Sequence, residues 1–146
     1  MNADQLYNQI LKGIVAKHGN DVTYSDFLMT EGRKRFGKKF AGVFPSDKVP
    51  KMKVGSYAIV NLDKSNEPGS HWVAVVKGSK KIYVYDSFGR ASHQILRDSS
   101  IMGAGTTISD TEHDAEQDVD EDNCGQRVLA WLELFNQHGW KVASNI

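Results

Sequence analysis

The chain has 146 residues, 18 Lys and Arg against 18 Asp and Glu, and a single cysteine. That length suits one domain with a sizeable core, and residues 1–146 are read as one. Balanced charge gives no general pull toward nucleic acid or membrane. A lone cysteine excludes an internal disulfide and a cysteine-cluster zinc site, which fits a reducing compartment. No apolar run approaches the roughly 18 residues of a membrane span, and nothing reads as a secretory signal, so a soluble intracellular protein is expected.

Residues 4–17 carry Leu6, Ile10, Leu11, Ile14 and Val15 on one helical stripe, with Gly19 as a stop. A second helix is expected from Thr23 or Ser25 to about Gly37, through Phe27, Leu28 and Phe36. Thr23 with Asp26 three residues on has the pattern of a capping box. Arg33, Lys34, Arg35, Lys38 and Lys39 form a basic cluster, which reads as a solvated face and, as a second use, a contact for nucleic acid. Residues 38–55, with Pro45, Pro50 and several lysines, read as irregular connection.

Residues 57–62 read as a strand and 63–70 as a polar loop, with two further strands over 71–76 and 81–86. Gly78-Ser79 between them suits a two-residue hairpin turn whose first position has positive φ. That turn opposes Lys77 to Lys80, Val75 to Ile82, Val73 to Val84 and His71 to Asp86. Directly opposed side chains have Cβ atoms about 4.5–5.5 Å apart, so an imidazole and a carboxylate meet at the open end of the hairpin. The other face (Trp72, Ala74, Val76, Tyr83, Tyr85) is also mostly apolar, so the sheet is expected to be covered on both sides. A short helix is expected over 92–98 and a short strand over 106–109. An acidic run follows: Asp110, Glu112, Asp114, Glu116, Asp118, Asp120, Glu121 and Asp122. From Asn123, a good N-cap, a helix carries Val128, Trp131, Leu132 and Phe135 on its buried stripe and ends near Gly139. Cys124 lies one turn before Val128, so it should face the sheet.

A thiol attacks carbonyls as its thiolate, and a helix N-terminus favours that anion and offers unpaired N–H groups. An imidazole completes the activation, and a carboxylate on its other nitrogen fixes the tautomer. Cys124, His71 and Asp86 supply these parts, and Gln117 can offer its amide, with the Cys124 N–H, to an oxyanion. Taken singly, each has a plainer reading: a buried cysteine is usually a small hydrophobe, and a strand His beside an Asp is often a satisfied pair. Only His138 follows the cysteine, about 20 Å along the same helix, which excludes orders that need a later histidine. His18, His93 and His113 remain as alternative bases without a derivable carboxylate, and the acidic run lacks calcium-loop spacing.

Gly-Ser-His-Trp at 69–72, Tyr-Val-Tyr-Asp-Ser-Phe-Gly at 83–89, Gln117 and Asn123-Cys124-Gly125 together resemble the adenain family of adenovirus-type maturation proteases. That family shares a clan, and the order His, Asp or Glu, Gln, Cys, with the Ulp-type SUMO proteases. Phe44-Pro45 and Tyr57-Ala-Ile-Val-Asn extend the resemblance over about residues 40–135. It implies an α+β, papain-like fold, a central mostly antiparallel sheet packed against the helix that starts at the nucleophile. It further implies Cys124 as nucleophile, His71 as base, Asp86 as orienter and Gln117 as oxyanion donor, with Trp72 and Asn123 binding substrate. Asp86 stands where adenovirus enzymes carry Glu, as in the Ulp relatives, and no second cysteine is present to join a viral peptide cofactor. The implied protein is a compact form, as in virophages or Polinton-like viruses: a monomer of the virion and host-cell cytoplasm that cuts capsid or scaffold precursors. No cofactor or metal is expected; a peptide or DNA activator is the one such requirement left open. Rival uses of the same residues are a deSUMOylase- or deubiquitinase-like isopeptidase, a YopJ-type acetyltransferase, and an inactive cleft serving as a binding module.

Overall fold

The protein's structure, a computed structural model, describes residues 1–61, 71–88, 107–111 and 122–146. Helices α1 (Ala3–His18) and α2 (Ser25–Phe36) lead through a 3-10 turn (Gly37–Lys39) into the sheet. Its strands are β1 (Phe40–Pro45), β2 (Tyr57–Asn61), β3 (Trp72–Lys77), β4 (Lys81–Tyr85) and β5 (Thr107–Asp110). Helix α3 (Cys124–His138) and the short α4 (Trp140–Ala143) follow. The class is mixed α and β: among the described residues, an open five-stranded sheet with helices packed against it. The expected helix over 92–98 lies outside the described residues.

The strands lie in chain order. The centre is antiparallel, β2 with β3 and β3 with β4, but both outer pairs, β1 with β2 and β4 with β5, are parallel. The expectation of a mostly antiparallel sheet therefore holds for the centre alone. Residues 38–55 are not all irregular, since Phe40–Pro45 forms the edge strand β1. Its Phe40 is buried because Gly32 on α2 has no side chain; a Cβ there would run into the Phe40 ring. Pro45, which has no N–H to donate, is tolerated at the end of an edge strand.

Both faces of the sheet are covered, as the two apolar faces of the hairpin require. Tyr57, Ile59, Ala74, Val76 and Tyr85 join Tyr7, Leu11 and Ile14 of α1 and the apolar residues of α3 in the larger cluster. Alternate residues Ala58, Val60, Val73, Val75, Ile82 and Val84 pack with Val49 and Met52 from the β1–β2 connection. Helix α3 is buried on more than one stripe: every residue from Cys124 to Leu132 is buried, as for a helix enclosed by other elements. Its Trp131 stacks on Tyr85 at 5.5 Å, and its indole N–H donates to the Ala143 carbonyl at 3.0 Å. Helix α4, which no sequence signal announced, thus supplies an acceptor that the buried indole needs.

The β3–β4 hairpin differs from its expected register by two residues. Gly78 N–H donates to the Lys81 carbonyl at 2.8 Å, so Ser79-Lys80 form the turn, and Val75 faces Val84 rather than Ile82. Gly78 does not adopt positive φ. A Cβ there would lie 3.0 Å from the Tyr83 ring, so the glycine serves close approach instead of the turn. An even shift leaves every side chain on its face, whereas a shift of one would invert them all.

Candidate active site

His71 immediately precedes β3 and Asp86 immediately follows β4. Continued past the last paired residues, Ala74 and Tyr85, the register would make them diagonal neighbours and set Phe88 opposite His71. Diagonal side chains are still within reach of each other. His71 Nε2 lies 2.7 Å from Asp86 Oδ1, with the two residues 4 % and 3 % exposed. The same Oδ1 accepts the Phe88 N–H at 2.9 Å, and the Phe88 ring stacks on the imidazole at 4.3 Å. The turn after β4 therefore aims the carboxylate and backs the ring it holds.

The Cys124 thiol is also a neighbour of the imidazole, near enough to act on its titration. With Nε2 on the carboxylate, Nδ1 is the nitrogen left for the sulfur. Burial alone pushes His71 down. The hydrogen bond with Asp86, its negative charge and the nearby Cys124 sulfur outweigh that effect, raising the imidazole above its ordinary 6.5. The protonated ring is thereby favoured beside the sulfur.

Cys124 opens α3 after Asn123, whose backbone is not extended and whose side chain makes no capping bond. The expected cap is absent because the amide is engaged elsewhere: it accepts from Arg127 Nε at 3.0 Å and donates to Asn20 at 2.8 Å. The first helical bond runs from Arg127 N–H to the Asn123 carbonyl at 3.0 Å, so the amides of Cys124, Gly125 and Gln126 precede the ladder. Arg127 Nη1 also donates to the Tyr7 hydroxyl at 3.4 Å, which in turn shares a 2.7 Å hydrogen bond with the Tyr85 hydroxyl. A buried polar chain thus ties the start of α3 to α1 and β4.

Sequence reasoning missed the loop 19–24, which joins α1 to α2 and packs over the start of α3. Gln126 Nε2 donates to the carbonyls of Gly19 at 3.1 Å and Asp21 at 2.8 Å. The Trp72 indole N–H donates to the Thr23 carbonyl at 3.3 Å. Thr23 is not the expected cap of α2, which starts at Ser25 after an uncapped Tyr24. Its side chain instead occupies the space that a Cβ on Gly125 would need. Gln126 was the signal that could have found this: a buried amide at the start of an apolar helix must find partners.

Of the expected site residues, His71, Asp86 and Cys124 meet, with half-buried Trp72 beside His71 and buried Asn123 beside Cys124. Gln117, His93 and His113 lie outside the described residues, as does the acidic run from 112 to 121. His18 is elsewhere, 3.2 Å from Glu31 and edge-on to Phe27. In the basic cluster Arg35 pairs with Glu31 at 3.3 Å and Lys39 donates to Asn136 at 3.1 Å. Lys38 and Lys39, with Lys51 and Lys53, line a concavity of about 510 Å³. Gly55 on its wall bonds Lys77, at the end of β3 remote from His71. No helix among the described residues is long and apolar enough to cross a membrane. No protein-family model matches the chain, and no curated protein matches it.

Proposed function

We propose that this chain is a cysteine endopeptidase of the adenain type, working through Cys124, His71 and Asp86. The observation that carries the reading is an imidazole held by a buried carboxylate, with a thiol at a helix start near enough to act on its titration. The thiolate of Cys124 attacks the scissile carbonyl carbon; the S–C bond forms as the carbonyl π pair moves onto oxygen. The Cys124 N–H and the Gln117 amide are the donors assigned to that oxyanion. When the pair returns, the C–N bond breaks and the His71 imidazolium gives its proton to the leaving amine. Neutral His71 then takes a proton from water, whose oxygen displaces the sulfur and releases the acid. Asp86 keeps Nε2–H directed and stabilises the imidazolium in both halves of the cycle.

The motif resemblance points to virion precursor proteins as substrates, to a monomer acting in the virion and host-cell cytoplasm, and to a papain-like arrangement of the fold. Incubation with precursor virion proteins, with new termini read by mass spectrometry, tests this. Wild type cuts, and Cys124→Ala and His71→Ala do not. Uncut precursors with cleavage of a ubiquitin-like probe would move the activity to an isopeptidase, and an unaffected His71→Ala would overturn the base.

A further inference from the structure

Arg127 is a charged side chain, only 8 % exposed, in the buried first half of α3. A buried cation is tolerated only when it is hydrogen-bonded, and an apolar side chain of like volume would fill the space without that requirement. The guanidinium is therefore explained by what it holds. Arg127 grips Asn123 twice: its backbone N–H donates to the Asn123 carbonyl at 3.0 Å, and Nε donates to Oδ1 at 3.0 Å. Nη1, fixed in the same plane as Nε, donates to the Tyr7 hydroxyl at 3.4 Å. Buried Tyr7 shares a 2.7 Å hydrogen bond with the hydroxyl of buried Tyr85, the last residue of β4. The Tyr85 ring stacks on Trp131 at 5.5 Å, which closes the chain back onto α3. The two ends, Asn123 and Tyr85, are the residues immediately before Cys124 and Asp86. A misplacement of about 1 Å at a reacting centre costs on the order of 100-fold in rate, so a tie that ends beside both groups bears on chemistry as well as packing.

We infer that Arg127 and Tyr7 are positioning residues of the site: the tie Asn123–Arg127–Tyr7–Tyr85 sets how far the Cys124 sulfur stands from the imidazole that Asp86 holds. This rests on the peptidase reading and adds two residues, one from α1 and one from α3, that act through the nucleophile and the acid without touching substrate. The fork matters more than the charge, because a lysine could not bond Asn123 and Tyr7 from one rigid plane.

The test uses the full chain and its Tyr7→Phe, Tyr85→Phe, Tyr7→Phe/Tyr85→Phe and Arg127→Lys variants. The Phe changes remove only hydroxyls and keep the rings in place. Peptides cut by wild type are selected from a proteome-derived library, kcat and KM are measured on one of them, and Cys124 alkylation by iodoacetamide is followed near neutral pH. Each Phe variant should lose about three- to tenfold in kcat with KM within about twofold, and alkylation should slow by a similar factor. The double variant should be no slower than the slower single, because one tie is broken either way. Arg127→Lys should lose at least as much as Tyr7→Phe. Tyr57→Phe, which removes a hydroxyl bonded to Asn136 at 3.1 Å, is the control and should leave kcat and alkylation within about twofold. Melting curves show that each protein is folded at the assay temperature. A Tyr7→Phe variant with wild-type kcat and alkylation overturns the tie, as do losses that multiply in the double variant, losses confined to KM, or an Arg127→Lys variant as fast as wild type. A wild type that cuts no peptide overturns the peptidase reading; alkylation slowed by Tyr7→Phe would still uphold the tie, and unchanged alkylation would overturn both.

Discussion

Replacing Asp86 by Asn removes one negative charge from the array while keeping an oxygen able to accept from His71 Nε2. The native contact is 2.7 Å long between side chains 5 % and 1 % exposed, so water and salt screen it little. A charge-assisted hydrogen bond contributes about 1.5–3 kcal/mol, twice a neutral one, so the exchange costs the imidazolium about 1–1.5 kcal/mol. That is about tenfold in any step that needs the protonated ring. Asp86→Ala is harsher, leaving a buried ring N–H and the Phe88 N–H without their acceptor; about 2–5 kcal/mol is at stake. The pH profile also moves in a definite direction. With the main upward influences on His71 removed, burial prevails, the imidazole titrates lower, and the alkaline limb of cleavage shifts to lower pH. Cleavage of one peptide and alkylation of Cys124, each followed across pH for wild type, Asp86→Asn and Asp86→Ala, measure both effects. An Asn variant with unchanged rate and an unmoved limb, or an Ala variant no worse than Asn, would refute the role given to Asp86.

Gly125→Ala should destabilise the chain by about 1–3 kcal/mol and slow cleavage, because the new Cβ takes the place of the Thr23 side chain. Adding Thr23→Ala should recover part of the loss; chemical denaturation of the four proteins gives the coupling, and strict additivity would refute the contact. Stability should also depend on pH through His71. Its folded value lies above the unfolded 6.5, so its contribution is full below 6.5 and fades as pH rises through the folded value. The gap in Tm between wild type and His71→Gln should therefore shrink on the alkaline side of 6.5, and a gap that widens there would contradict the raised imidazole.

Periodicity carried the larger elements. The stripe from Leu6 to Val15 is α1, the alternation after Tyr57 is β2, and the apolar run after Cys124 is α3. What it did not carry was set by contacts between distant residues. Phe40–Pro45 has glycine, proline and flanking lysines, all signals of irregular chain, yet Gly32 opens space for Phe40 and the parallel partner β2 does the rest. Gly78 reads as a turn residue, but the Tyr83 ring claims it and moves the turn onward. Asn123 reads as a cap, but Asn20 and Arg127 occupy its amide. In each case a residue type with two uses was put to the one that depends on a partner far along the chain. Gln126 and Arg127, unexpectedly polar for the start of a buried helix, have the same origin: one clamps loop 19–24 and the other reaches Tyr7.

The position of His71 shows why these distant contacts matter for chemistry. By strand alternation it shares a side with Val73 and Val75, which pack with Val49 and Met52 and not with α3. Asp86 likewise follows Val84 onto that side. Alternation alone therefore puts Asp86 and His71 across the sheet from the helix that Cys124 opens. The imidazole nonetheless meets the thiol, because His71 and Asp86 lie one residue beyond their strands, where the pleat no longer dictates direction, and Cys124 lies at the tip of its helix. Orientation passes instead to local tethers: Phe88 N–H on the carboxylate, the Phe88 ring on the imidazole, and loop 19–24 bridging Trp72 and Gln126. The array is built where the periodic elements stop, so its geometry depends on Phe88, Thr23 and Gln126 as much as on the sheet that brings the strand ends together.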